Sequence, residues 1–179
     1  MSRSSFAGPI VRWVKRITVT TRISAPPDRV WRALTVPSEV ECWDGVTPID
    51  VPEAYPKAGQ HARWSTRAGP FRLTLHDRIL VVDPPRRFAS SIDVGFVHVE
   101  EDYHLEACGA GSELIAANDV RSSIPGLHWL AARVTKSNVA MSMERLKVFC
   151  EERTLNRWPS RRRPDDSGAG RLDTPHGPA

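Results

Sequence analysis

The sequence is poor in cysteine and has no long hydrophobic run. Cys42, Cys108 and Cys150 are odd in number, lie far apart and form no CxxC pair, so neither a disulfide framework nor a zinc knuckle is expected. We interpret them as inert thiols of the core or the surface. A membrane-spanning helix needs about 20 consecutive apolar residues, and the absence of such a run excludes a transmembrane segment. Residues 1–16 also lack the apolar stretch and cleavage site of a secretory signal, which predicts a cytoplasmic protein.

The common motifs of cofactor-dependent enzymes are missing as well. The sequence contains no GxSxG, GxGxxG or P-loop motif, which argues against a serine hydrolase and against a nucleotide cofactor. His98 and His104 share a predicted strand but are too far apart along it for a tight chelate, and no HxH or HExxH motif occurs. We therefore expect no cofactor and no metal ion.

Positive charge is concentrated at the two ends of the chain. The formal net charge is +4, but residues 1–16 contain four basic residues and no acid, and residues 153–179 contain six arginines against three aspartates. The body between these ends is therefore net negative. A protein that binds nucleic acid should carry its basic surface on the folded domain, so no nucleic-acid partner is expected.

Composition divides the chain into three segments. Residues 1–14 are predicted to form a flexible basic N-terminus, residues 15–152 one folded domain, and residues 153–179 a disordered tail rich in arginine and proline. The tail has almost no aliphatic residues, so it cannot bury enough apolar surface to offset its ordering entropy. Its run Arg161–Arg163 is either solvated or in contact with a membrane or an acidic partner.

The folded segment begins with patterns typical of strands and short helices. Lys15–Ser24 alternates β-branched with polar residues, as in a half-buried strand. A helix opening near Pro27 follows, and then a second helix that Ser38 caps and Gly45 ends. Short turns separate the later predicted strands, which requires antiparallel pairing. These strands are His61–Arg67, Phe71–Val82, Phe88–Asp93, Val97–Ala107 and Ser112–Arg121.

From about residue 127 to 152 the pattern becomes helical. A helix of this length is about 40 Å long and can cross a whole sheet. One apolar stripe contains Leu127, Leu130, Ala131, Val134 and Met141. A second stripe, turned by about a quarter to a third of the circle, contains Val139, Met143, Leu146 and Cys150. We expect both stripes to be buried, which predicts an α+β fold with a curved antiparallel sheet around a long C-terminal helix.

A straight helix cannot meet a curved sheet everywhere at packing distance, so the fold leaves room for side chains or a ligand. The chain resembles the START-like superfamily of polyketide cyclase/dehydrase and lipid-transport proteins. Ile23–Thr35 with the later Trp43 is similar to that family's opening block, Asp83–Phe88 to its mid-sheet turn, and Met143–Lys147 to its terminal helix. The resemblance covers about residues 16–152. It implies a helix-grip fold, also found in the birch-pollen allergen, with a cavity for a polyketide-like or lipid-like molecule.

Strand alternation directs three polar side chains toward that cavity. If Leu73 and Leu75 face inward, Asp77 does so too, and Glu101 and Tyr103 share a face with apolar neighbours. An acid in an apolar cavity has a raised pKa and can transfer protons near neutral pH, and a tyrosine can hold an enolate oxygen. Glu101, Tyr103 and Asp77 are thus the catalytic hypothesis. Alternatively, a β-bulge reverses the alternation and leaves the acids in solvent or paired with arginine.

Further residues are candidates for ligand contact. Trp64 could stack on a flat ligand and Trp43 could close the pocket mouth, although large aromatic side chains more often belong to the core. Asn138 is a lone polar residue in the apolar helix stripe and needs a partner from the protein, from water or from a ligand. The predicted ligand-binding set is Trp43, Trp64, Leu73, Leu75, Asn118, Leu130, Val134, Asn138 and Met141.

Three functions remain open at this point, because a fold does not choose among them. The resemblance implies a protein that binds a hydrophobic small molecule and catalyses cyclisation, dehydration or isomerisation without a cofactor. The second function is a carrier or sensor with no turnover. The third is a protein-partner module of the heat-shock ATPase activator type. The ligand's identity and the choice between monomer and homodimer also stay open.

Overall fold

The structure is a computed structural model that describes residues 14–122, 124 and 128–155. Apart from Val14, the predicted flexible N-terminus lies outside the described residues, and so does the predicted tail beyond residue 155. Within the described residues, no helix combines the length and the apolar character needed to cross a membrane.

The described residues form seven strands and three helices in nearly the predicted order. They are β1 (Lys15–Ile23), α1 (Pro27–Thr35), α2 (Pro37–Asp44), β2 (Thr47–Asp50), β3 (His61–Ala68), β4 (Phe71–Asp83), β5 (Arg87–Val94), β6 (Val97–Cys108), β7 (Gly111–Ser122) and α3 (His128–Leu155). The addition is β2, a short strand of four exposed residues that pairs with β3. Its sequence lacks the alternation of a half-buried strand, so the pattern does not reveal it.

The seven strands form one antiparallel sheet of order β1-β7-β6-β5-β4-β3-β2. Together with the C-terminal helix, this curved sheet confirms the predicted helix-grip fold. Alternation is clearest on β7, where every second residue is buried: Ser112, Leu114, Ala116, Asn118 and Val120. Because directly paired residues share a face, the buried face continues onto β6, where Tyr103 lies opposite Ala116 and Leu105 lies opposite Leu114.

Prolines and a glycine set the bounds of the two short helices. Pro27 and Pro37 lie in the first turn of α1 and α2, where a missing N–H has no helical partner to lose. Gly45 ends α2 with a φ of 74°, a left-handed conformation that glycine adopts without strain. The predicted cap at Ser38 is wrong, since Val36 occupies that position without a side-chain hydrogen bond. The single residue between the helices ends α1 and begins α2, which leaves no place for a separate cap.

Helix α3 packs along β1 and β7 and against α1 and α2 through one apolar stripe. Its buried residues are Val139, Met143, Leu146 and Cys150. The expectation that the other stripe is also buried is wrong, because Val134 is 51% exposed and Met141 is 49% exposed. Residues five apart, such as Val134 and Val139, lie about 140° apart around a helix, which is more than a third of the circle. The sheet therefore covers the stripe that contains Met143 and leaves Val134 and Met141 at the surface.

Candidate functional site

A small cavity lies between the inner face of the sheet and the two short helices. Its volume is about 70 Å³. Strands β3 to β6 contribute side chains from one side, while α1, α2 and the segments after α2 contribute them from the other. The apolar part of the lining includes Leu34, Trp43, Val46, Trp64, Leu75 and Phe88. Five ionisable or phenolic side chains reach the same space, which makes the cavity the candidate site.

Glu101 and Tyr103 occupy successive inward positions on β6. The register of β6 with β5 and with β7 is continuous, so no bulge reverses its alternation. The Tyr103 hydroxyl donates a hydrogen bond of 3.1 Å to Oε2 of Glu101. Both side chains line the cavity, where Tyr103 is buried and Glu101 remains partly accessible. The alternative in which Glu101 pairs with arginine is wrong, because Arg121 pairs with the neighbouring Glu100 instead.

Burial dominates the proton affinity of this pair. The pKa of Glu101 is raised to about 8: burial is the largest cause, the charges of Asp44 and Asp77 act in the same direction, and the hydrogen bond from Tyr103 opposes them. Burial likewise raises the pKa of Tyr103, and the adjacent Glu101 charge adds to the effect. Glu101 can therefore bind or release a proton near neutral pH, while Tyr103 remains a neutral hydrogen-bond donor.

A second tyrosine–carboxylate pair faces the same cavity. Asp77 is buried on β4, and its Oδ2 accepts a hydrogen bond of 3.3 Å from the Tyr55 hydroxyl. Burial raises the pKa of Asp77, while donation from Ser90 and Tyr55 lowers it. The register shift of β4 falls between Ile79 and Val81, beyond Asp77, so this residue keeps its inward direction.

Asp44 is a third carboxylate of the cavity, which the sequence pattern did not predict. It is the last residue of α2, and Ser142 of α3 donates a hydrogen bond of 2.7 Å to its Oδ1. Burial raises the pKa of Asp44, while the Ser142 hydrogen bond and the Arg145 charge lower it. The carboxylates also disfavour one another's ionisation. Among the described residues, no group of three or more His, Cys, Asp or Glu side chains is arranged to hold a metal ion.

Four predicted ligand contacts lie at or next to the cavity. Trp43, Trp64 and Leu75 line it, and both tryptophans are buried enough to serve the core as well. Asn118 is fully buried on β7 directly opposite Glu101. Neither polar atom of its amide has a hydrogen-bond partner among the described residues. A buried amide without hydrogen-bond partners lowers the stability of the folded state. The Asn118 amide is therefore an unpaired polar group on the inner face of the sheet, directly beside Glu101.

Four other predicted contacts lie at the surface, which corrects the prediction. Leu73 is 36% exposed. The pairing of β4 with β5 begins only at His76, so the part of β4 that contains Leu73 extends beyond the end of β5. Val134, Asn138 and Met141 lie on the exposed side of α3, opposite the stripe that packs on the sheet. Asn138 is exposed, so its amide needs no partner from the protein or from a ligand. The side chain of Leu130 lies outside the described residues.

Two further polar residues of the cavity were missed by sequence reasoning. Tyr55 lies in the irregular segment between β2 and β3, where no periodicity indicates a direction. Its ring packs edge-on against Trp64 at a centroid distance of 5.9 Å, which holds it at the cavity. Ser90 lies two residues after the buried Phe88 on β5, so strand alternation from Phe88 would have identified it.

The chain is similar to one described protein family and to several solved structures. The family profile described as polyketide cyclase / dehydrase and lipid transport matches residues 15–151. This match confirms the family resemblance drawn from the sequence. Among curated protein sequences, none matches the chain.

Three solved structures illustrate the similarity of fold. Ara h 8.0201 superposes with a TM-score of 0.65 at 12% identity, covering 77% of this chain and 98% of that one. A protein from Chromobacterium violaceum gives 0.61 at 19% identity, covering 76% of this chain and 96% of that one. A protein from Rhodobacter sphaeroides gives 0.60 at 23% identity, covering 80% and 95% respectively. At these identities the structures establish the fold alone.

Proposed function

Because the chain belongs to the polyketide cyclase/dehydrase and lipid-transport family, we propose that it binds an apolar small molecule and transfers a proton on it. The observation that carries this proposal is the Glu101–Tyr103 pair within an apolar lining. A cavity of mainly apolar residues with a few converging polar groups is the usual form of a small-molecule site. A carboxyl group whose pKa is about 8 suits general acid–base catalysis near neutral pH.

The size of the cavity determines how a ligand would lie. Pockets that enclose drug-sized molecules have volumes of roughly 300–1,000 Å³, whereas this cavity has about 70 Å³. Only the reacting end of a ligand fits beside Glu101. The remainder of the ligand would extend toward the opening of the cavity.

The proposed chemistry is proton transfer next to a carbonyl group. Ionised Glu101 removes a proton from the carbon adjacent to the carbonyl, and the electron pair moves onto the carbonyl oxygen as an enolate. Once protonated, Glu101 is a weaker acceptor, so the Tyr103 hydroxyl becomes available to donate to the enolate oxygen. Return of the proton from Glu101 to another carbon gives isomerisation, and its transfer to a leaving hydroxyl gives dehydration. No cofactor is required for either step.

Ligand entry is tested by obstructing the cavity. Leu75→Trp places a large side chain on the lining and should weaken binding of the neutral fluorescent probe N-phenyl-1-naphthylamine by at least about tenfold. Leu80→Trp is the matched control, since Leu80 lies on the same strand, is 41% exposed and is not part of the lining. Fluorescence titration of both variants and the wild type gives the dissociation constants. If all three proteins bind the probe with equal affinity, the probe does not bind in the cavity and the ligand-binding proposal is wrong.

Proton transfer is tested with an enolisable ketone. In D₂O, the protein should accelerate deuterium exchange at the carbons adjacent to the carbonyl of 2-tetralone, and Glu101→Gln should slow this exchange on the order of 100-fold. The rate is measured by NMR at pD values around 8. Glu106→Gln, an exposed position on the same strand, should exchange at the wild-type rate. If Glu101→Gln exchanges as fast as the wild type, Glu101 is not the base. If the wild type binds the ketone without accelerating its exchange, the protein is a carrier or sensor rather than an enzyme of this kind.

A further inference from the structure

A second pocket adjoins the cavity and differs from it in character. Its volume is about 250 Å³. Three arginines contribute to its wall: Arg67 and Arg72 from the β3–β4 hairpin and Arg145 from α3. Thr47, Ser65 and Thr66 contribute further polar groups, and its single acid is Asp44. We propose that this pocket binds the anionic group of the ligand whose apolar end enters the cavity.

Protein charge balances these arginines only in part, since the single acid of the pocket is Asp44, whose pKa the charge of Arg145 lowers. None of them forms an ion pair with a carboxylate among the described residues, although seven arginine–carboxylate pairs occur elsewhere in that part of the chain. Arg67 and Arg72 also lie directly opposite each other across the two strands. Like charges in directly opposite positions destabilise a sheet. A bound anion would offset that repulsion.

The chemistry of the wall identifies the class of anion. The planar guanidinium group donates paired hydrogen bonds that match the oxygens of a carboxylate, phosphate or sulfonate group. Hydroxyl groups of Ser65 and the two threonines can donate to the remaining oxygens. A neutral ligand would leave these donors to water, so the wall favours ligands with an acidic group.

Asp44 connects this pocket to the proposed reaction site, because its side chain lines both spaces. A ligand that passes Asp44 can place its carbonyl end near Glu101 while its acidic group contacts Arg72 and Arg145. Such two-point attachment would fix which carbon lies next to Glu101. This inference rests on the proposed function, since it assigns the second end of the same ligand.

Two probes of nearly equal apolar structure test the inference. N-Phenyl-1-naphthylamine is neutral, whereas 8-anilinonaphthalene-1-sulfonate carries one sulfonate on the same ring system. Arg72→Gln and Arg145→Gln should each weaken binding of the sulfonate probe roughly tenfold and leave the affinity of the neutral probe unchanged. Arg78→Gln is the matched control, because Arg78 is also exposed on β4 but is not part of this pocket. It should leave both affinities unchanged.

The outcomes separate the inference from the function on which it rests. If the wild type binds the neutral probe and the two arginine variants keep full affinity for the sulfonate probe, the anionic subsite is wrong and the cavity proposal survives. If Arg78→Gln weakens binding of the sulfonate probe as much as the pocket variants do, the effect comes from net charge alone and the anionic subsite is wrong. Inorganic phosphate that binds as tightly as the sulfonate probe would show a free-anion site instead. A wild type that does not bind the neutral probe overturns both proposals.

Discussion

Glu101→Gln should be more stable than the wild-type protein at pH 9, by on the order of 3 kcal/mol, and about equally stable at pH 5. Burial raises the pKa of Glu101 to about 8 in the folded protein, above the ordinary value of 4.5. The folded state therefore holds this proton more tightly than the unfolded state does. As the pH rises from about 4.5 to about 8, Glu101 ionises in the unfolded state while the folded state keeps its proton, so the free energy of unfolding of the wild type falls. Glutamine cannot ionise, so the variant does not lose this stability.

The measurement is urea denaturation of both proteins at pH 5, 7 and 9. Glu106→Gln provides the control, because Glu106 is exposed on the same strand and should change the free energy of unfolding by less than about 0.5 kcal/mol at each pH. Asp44 and Asp77 also have raised pKa values, so the variant should retain a smaller pH dependence of the same sign. A variant that gains no stability at pH 9 would mean that Glu101 is well solvated, and the general-base proposal would lose its physical basis.

Trp43→Ala should lower the free energy of unfolding by about 3–5 kcal/mol. Trp43 is only 7% exposed and belongs to the main hydrophobic core. Its indole Nε1 donates a buried hydrogen bond of 2.8 Å to the carbonyl oxygen of Ala33. That carbonyl lies in the last turn of α1, where helix carbonyls lack a helical partner. The substitution therefore leaves a cavity and also removes the partner of a buried carbonyl.

Two further variants separate these contributions in the same denaturation experiment. Trp43→Phe keeps most of the ring packing but loses the donor, so it should lose about 1–3 kcal/mol. Trp129→Ala changes a tryptophan that is 61% exposed on α3 and should shift stability by less than about 0.5 kcal/mol. Similar losses in Trp43→Ala and Trp129→Ala would contradict the placement of Trp43 in the core between α1 and the sheet.

The inward positions of Glu101, Tyr103, Asp77 and Asn118 follow from strand alternation. Successive side chains of a strand point to opposite faces, so one apolar residue such as Leu105 or Val120 defines the direction of its alternate neighbours. This inference succeeds on β6 and β7 because their register is continuous. On β4 it holds for Asp77 because the bulge lies farther along the strand.

The ligand-contact predictions for Val134, Asn138 and Met141 fail for a reason that the sequence does not contain. Helical periodicity shows that α3 has two apolar stripes, but it does not show which stripe meets the sheet. Contact with β1 and β7 buries Met143 and Leu146 and leaves Val134 and Met141 exposed. Leu73 fails similarly, because the length by which a hairpin extends past its neighbour depends on strand pairing.

The sequence by itself determined the type and order of the elements, the faces of the strands and the family, because these depend on local stereochemistry and short-range patterns. Only the tertiary structure decided the size of the cavity, the residues that close it and the proton affinity of Glu101. These properties depend on distances between residues that are remote in the chain: Asp44 and Tyr55 reach the cavity from α2 and from an irregular segment. The arginine pocket has the same origin, since Arg145 of α3 and the β3–β4 hairpin line one pocket although they are remote in the chain.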